Sequence, residues 1–209
     1  MRTKVIAILL IGIVLLGCSS TDDAKRLVQI DRKLNSGQFE NVIQESKEYL
    51  QKYPDSCRGW NILGWAYLNS NNLEDAEKSF DKAIAIDKKW DNAYVGKGVM
   101  YRKMGQLDKA RQNYLQAVSL VPDNAEAFSS LLVIELMAKN NKKAVEYGEK
   151  AWKLRKNLPS IPANLAVAYH YINDHAKRDE FFKHASDAGY SNLQGLKDIF
   201  SGKSSIGAQ

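Results

Sequence analysis

Cysteine is nearly missing from this chain, with 2 in 209 residues, Cys18 and Cys57. Once Cys18 is set aside with the N-terminal segment, Cys57 has no intramolecular partner, and a fold stapled by disulfides is excluded. Cys57 reads as a small, semi-buried residue, with a thiol that pairs with a partner as the alternative. The short patterns that carry catalysis are missing too. There is no glycine-rich phosphate loop, no Gly-x-Ser-x-Gly elbow and no His-Glu-x-x-His zinc motif. His170, His175 and His184 stand close in sequence, but no cysteine or convergent carboxylates accompany them. They read as surface residues, not metal ligands. The chain is therefore expected to be no enzyme and to need no cofactor or small-molecule substrate. Its cationic excess is small: 30 Lys and Arg against 24 Asp and Glu leave +6, and +4 once Arg2 and Lys4 are set aside. That is no nucleic-acid footprint. Nor does the apolar run Val5 to Leu16 reach the roughly 20 residues that cross a bilayer comfortably.

That run comes after Arg2 and Lys4 and ends in Leu15-Leu16-Gly17-Cys18, the layout of a signal peptide over residues 1–17. The closing tetrapeptide resembles the bacterial lipobox, in which a Leu, a variable residue and a Gly precede the lipidated Cys. The resemblance implies cleavage before Cys18 and covalent lipid on it, with residues 18–22 as lipidated N-terminus and short linker. Several acyl chains hold a protein stably where one holds it marginally. An ordinary secretory signal with an incidental cysteine is the competing reading. Ser19, not Asp, comes next after the cysteine. By the same resemblance this points to a lipid-anchored envelope protein, on the outer membrane and facing the periplasm in a Gram-negative host.

Beyond this segment the chain is repetitive. One pattern recurs every 34 residues in five copies, 23–56, 57–90, 91–124, 125–158 and 159–192. Position 4 of the copies holds Arg26, Trp60, Tyr94, Phe128 and Pro162, and position 8 holds Ile30, Gly64, Gly98, Leu132 and Ala166. Position 11 holds Lys33, Tyr67, Tyr101, Glu135 and Tyr169. Position 20 holds Val42, Ala76, Ala110, Ala144 and Arg178. Position 24 holds Ser46, Phe80, Tyr114, Gly148 and Phe182. Positions 4, 7, 8 and 11 share one face of a helix, and 20, 24 and 27 share a face of a second. Mostly small residues at 8, 20 and 27 let the two backbones approach, while the aromatics fill the space beside them. Position 15 is Gly37, Asn71, Gly105, Lys139 or Asn173, and four of these five tolerate the left-handed turn that ends a helix. Asp55-Ser56, Asp91 and Asp123-Asn124 stand where the next helix needs an N-cap.

The pattern resembles the tetratricopeptide repeat, most closely over Trp60–Tyr67, and the resemblance covers residues 23–192. It implies an all-α fold: a right-handed superhelical solenoid of five helix-turn-helix repeats, with each pair burying its neighbour's face. Residues 193–200 carry Leu193, Leu196, Ile199 and Phe200 on one face and read as a short capping helix, with a separate docking peptide as the alternative. Residues 201–209 read as a disordered tail. Pro162 and Arg178 break the pattern, so the last repeat is expected to be splayed or shifted.

The resemblance also implies a partner-binding groove on the concave side, lined by the first helix of each pair. Positions facing away from the packing stripe supply Asn61, Trp65, Asn92, Val95, Val99, Arg102, Ser129, Val133, Met137, Asn164, Val167 and Tyr171. About half of the apolar residues among them are expected to serve packing between adjacent first helices. Position 9 is Asp31, Trp65, Val99, Val133 and Val167, so the carboxylate clamp that some relatives build there is absent, and an apolar peptide ligand is expected. The basic stretch Lys139–Lys156 reads as a solvated outer face, or as a contact for anionic lipid, glycan or an acidic partner. In size and layout the chain is similar to pilotin-type tetratricopeptide lipoproteins. That implies a membrane-anchored protein–protein interaction scaffold of the bacterial envelope assisting pilus or secretin assembly, its partners envelope proteins or peptides. The alternatives are an adaptor for peptidoglycan hydrolases or other envelope enzymes, and a component of the outer-membrane protein insertion machinery.

Overall fold

The computed structural model describes residues 21–205. Cys18 and the signal peptide read from the sequence lie outside the described residues, as do residues 206–209. Within them the chain forms 11 α-helices and no strand. The pairs are α1 (Thr21–Asn35) with α2 (Phe39–Lys52), α3 (Cys57–Asn69) with α4 (Leu73–Ile86), and α5 (Asp91–Lys103) with α6 (Leu107–Leu120). They continue as α7 (Ala125–Met137) with α8 (Asn141–Leu154) and α9 (Ser160–Tyr171) with α10 (His175–Asp187). A last helix, α11 (Leu193–Phe200), packs on α9 and caps the solenoid.

The helix ends recur because the same local chemistry recurs. In all five pairs the position-15 residue is left-handed, with φ between 60° and 78°. The next N–H then closes each turn on the carbonyl of position 11, from Gln38 to Lys33, Asn72 to Tyr67, Gln106 to Tyr101, Asn140 to Glu135 and Asp174 to Tyr169, at 2.8–3.0 Å. Gly and Asn adopt this conformation readily. Lys139 adopts it against its own Cβ, because the turn leaves no alternative. Ser56 and Asn124 cap α3 and α7 through the amides of Gly59 (3.1 Å) and Ala127 (2.8 Å). Asp91 does not cap α5. It is the first residue inside that helix, behind Trp90, and its carboxylate accepts from the Asn124 amide at 2.7 Å.

Packing depends on the small positions. Ala76, Ala110, Ala144, Ala83, Ala117 and Ala151 are fully buried. The position-24 rings of Phe80 and Tyr114 lie over Gly64 and Gly98, where a Cβ on Gly64 would stand only 2.7 Å from the Phe80 ring. Successive first helices also touch: α1 with α3, α3 with α5, α5 with α7 and α7 with α9. Successive second helices make no comparable contact. The array therefore bends toward its first helices. They line the concave side, and the outer side opens into seams between α2, α4, α6, α8 and α10.

The last pair is not splayed. Pro162 lies buried in the first turn of α9, where its missing N–H would have had no helical partner. The Arg178 guanidinium bonds to the Asp179 carboxylate (2.7 Å) and donates to His175 Nδ1 (3.1 Å), and it lies 5.3 Å from the Phe200 ring centre. The cap thus covers the break in the pattern. Residues 201–205 are not a loose tail either: Gly202 turns left-handed and the Lys203 N–H returns to the Asp198 carbonyl at 2.8 Å.

Candidate functional site

The concave face is not one groove but holds two separate hollows. At its N-terminal end, α1, α3, α5 and the turns beside them enclose about 620 Å³, and Asn61, Trp65 and Asn92 all reach its wall. Trp65 is fixed there by an edge-on contact with Phe80, ring centres 5.8 Å apart. Asn61 is only 6% exposed, and its Oδ1 has no hydrogen-bond partner among the described residues. Trp90, which precedes α5, lines the same hollow and leaves its buried Nε1 unpaired as well. Buried polar atoms left unmade are costly, and a native fold keeps few of them. A donor and an acceptor thus stand unpaired at one wall.

Charged side chains complete this hollow. Arg58 pairs with Asp31 across it at 3.2 Å, and Glu126 stands exposed at its edge. The expectation of an apolar ligand fails here, since amides and ions outnumber aliphatic groups in the wall. Arg58 and Glu126 both occupy position 2, so applying that position evenly to every repeat would have found them. Trp90 sits between two helices, where helical periodicity carries no signal.

At the C-terminal end Met137 and Tyr171 share a smaller hollow of about 330 Å³ with Leu136, Lys139, Asn141 and Ser205. Val99, Arg102, Ser129, Val133 and Asn164 are half-buried between the hollows and belong to neither. Two expected groove residues are core instead. Val95 and Val167 are each 2% exposed. They sit where a first helix meets the first helix beside it, and such a helix buries both of its flanks.

Apart from Lys139, which lines the C-terminal hollow, the remaining candidates fall outside both hollows. The cations between Lys139 and Lys156 are exposed, and Lys150 pairs with Glu146 at 2.7 Å. His170 is half-buried rather than on the surface. Its ring lies 5.2 Å from that of Phe200, and its Nδ1 is buried and unpaired. Burial first, then Arg178 and His175, hold it below its ordinary pKa. His184 packs on Trp152 at 5.1 Å. Burial pushes the Cys57 thiol up, so this thiol is poorly disposed to react.

Comparison with known proteins fits this geometry. Family models described as tetratricopeptide repeat and TPR repeat match residues 57–90 and 98–131 respectively. Over 165 residues the chain is 22% identical to the type IV pilus assembly protein PilF of Pseudomonas aeruginosa, covering 78% of this chain and 66% of that one. It is 26% identical over 128 residues to anaphase-promoting complex subunit 3 of Schizosaccharomyces pombe, covering 61% of this chain and only 19% of that protein. The chain thus spans a minor part of some relatives. Among solved structures, Pseudomonas aeruginosa pilF superposes with a TM-score of 0.76 at 20% identity, covering 87% of this chain and 85% of that one. MamA gives 0.65 at 21% identity, covering 79% and 96%. YrrB, described as a TPR protein with an unusual peptide-binding site, gives 0.61 at 16%, covering 82% and 89%. At such identities the likeness is one of fold.

Proposed function

We propose that this chain, whose residues 57–90 and 98–131 match tetratricopeptide-repeat models, is a lipid-anchored, non-enzymatic scaffold of the bacterial envelope. It holds a segment of a partner protein on its concave face and serves pilus or secretin assembly. The observation that carries the binding role is the N-terminal hollow, where Asn61 Oδ1 and Trp90 Nε1 stand buried and unpaired. A peptide main chain brings both a donor and an acceptor, the two kinds of partner these groups lack, and it reaches them when the side chains covering them part. The anchor rests on Arg2, Lys4, the apolar run and Leu15–Cys18. The pathway rests on the likeness to PilF, which extends over most of the chain.

Site-specific photo-crosslinking in cells tests the whole reading. A crosslinker at Asn69, on the rim of the hollow, should give a discrete adduct with a pilus or secretin subunit, and Asn92→Lys should abolish it. Cys18→Ala should release the protein from membranes. Adducts with unrelated proteins that ignore Asn92→Lys would remove the concave face from the reading, and a Cys18→Ala protein that stays processed and bound would remove the anchor.

A further inference from the structure

The outer seams provide an internal comparison. In three of them, position 11 of a first helix is tied to the second helix of the preceding pair. Between α4 and α6 the Tyr101 hydroxyl donates to the Glu77 carboxylate. Between α6 and α8 position 11 is Glu135, which accepts from Arg111 Nε at 2.6 Å. Between α8 and α10 the Tyr169 hydroxyl donates to Glu149. The first seam, between α2 and α4, has Tyr67 at position 11, but among the described residues no α2 carboxylate is bonded to it: Glu45 pairs with Lys33 and Glu48 with Arg26. Where the fourth repeat has Glu149 the first has Lys47, and where the second has Glu77 the first has Ile43. The Lys47 ammonium stands over the Tyr67 ring, 5.6 Å from its centre.

This seam is an open hollow of about 510 Å³. Leu50, Trp60, Leu63 and Tyr67 form its floor, and Lys47 and Lys82 stand on its rim. Trp60 is already fixed, its Nε1 donating to the Pro54 carbonyl at 2.8 Å, so the floor needs no rearrangement to receive a ligand. Neither rim lysine forms an ion pair with the described residues. The acid in the hollow, Asp75, is engaged by the Asn72 amide (2.9 Å) and Lys78 (3.7 Å).

We propose that the first outer seam is a second binding site, taking an acidic amphipathic segment of a partner protein: its apolar side chains cover Leu50, Trp60 and Leu63, and its carboxylate meets Lys47 and Tyr67. The carboxylate takes the place that Glu149 fills beside Tyr169. The site is independent of the concave face and differs in ligand chemistry, so the two can be occupied together.

Fluorescence anisotropy on the purified full chain tests this. The probe is a labelled 14-residue amphipathic peptide with leucines on one face and glutamates on the other, set against a copy with Gln for every Glu. The acidic peptide should bind, the Gln copy should bind at least tenfold more weakly, and rising salt should weaken the acidic one. Lys47→Glu gives Tyr67 the acid that the other seams already own. It should cut binding at least tenfold while leaving the melting temperature unchanged or higher, and Lys82→Glu should cut it too. Asn92→Lys on the concave face should change nothing. Equal binding of the two peptides, no binding of either, or a Lys47→Glu protein that binds like its parent would overturn the proposal. So would phosphatidylglycerol vesicles binding in a Lys47-dependent way while the peptide does not, which would make the seam a lipid contact. Loss of peptide binding in Asn92→Lys would relocate the ligand to the concave face and leave the concave reading standing.

Discussion

At the scale of single residues, Glu135 departs furthest from its repeat position. Its side chain is 1% exposed where neighbouring repeats place tyrosine, and it is held by Arg111 (2.6 Å) and the Asn140 amide (2.7 Å). Hydrogen bonding to Glu135 raises the Arg111 pKa above its ordinary range. Removing one member of such a pair strands the other. Arg111→Met should therefore cost about 3 kcal/mol, while Arg111→Met with Glu135→Leu should recover most of the loss. Urea melts of the two variants decide it, and equal stability would mean that the pair is incidental. In the sequence Glu135 is one of two exceptions, with Lys33, in a column otherwise of tyrosines. Its partner lies 24 residues away on another helix, and no periodicity links them. Lys139 is likewise an exception at a turn position, but its left-handed backbone comes from the hydrogen bonds on either side of it, which local propensity does not report.

Among the elements, α11 shows what a terminal helix adds. Leu196 is buried, and Phe200 gathers His170, Phe182 and Arg178 around its ring. This was legible, because four apolar residues on one face of an eight-residue helix have few other uses. The pH response was not, since it depends on which histidine the cap covers. His170 is held below its ordinary value of 6.5 by burial first, then by Arg178 and His175. The folded state thus prefers neutral imidazole. Its contribution is complete above about 6.5 and is lost as the pH falls through the depressed folded value. The protection of α11 amides, taken as the exchange rate relative to the intrinsic rate at each pH, should fall between pH 7.5 and 5, and His170→Phe should blunt that change; a variant with the full response would clear His170. The concave helices are harder to read than the cap. α7 is apolar on nearly every face, with Leu131, Leu132, Ile134 and Leu136 all buried, so periodicity cannot separate the packing side from the binding side. The same two-faced character puts Val95 and Val167 in a groove by pattern and in the core by contact.

On the scale of the molecule, the 34-residue period was sufficient to read five pairs and their order, because each pair meets only its neighbours and the same small residues recur at each meeting. It was insufficient to show that the seams differ. Among its described residues α1 buries Leu27 and Ile30, whereas α3 buries eight side chains or glycines along its length. At position 11 the first seam has only Lys47 against Tyr67, without the carboxylate that the next three have. Amides of α1 and α2 should therefore exchange at lower free energy than those of α5 to α8, as residue-resolved hydrogen exchange can measure; uniform protection would show that the ties contribute little.

The second helices stand apart while the first helices touch. A stack built this way resists compression along its inner row and yields to tension by parting its outer one. Strain admitted at the N-terminus, the end next to the proposed anchor, meets the seam without a carboxylate link before any that has one. Stretch there and occupancy there act on the same coordinate in opposite senses: a segment lodged between α2 and α4 makes that joint stiffer, and a pull on the joint lowers the segment's hold. The solenoid is thus a row of springs in series, softest where it would be tethered.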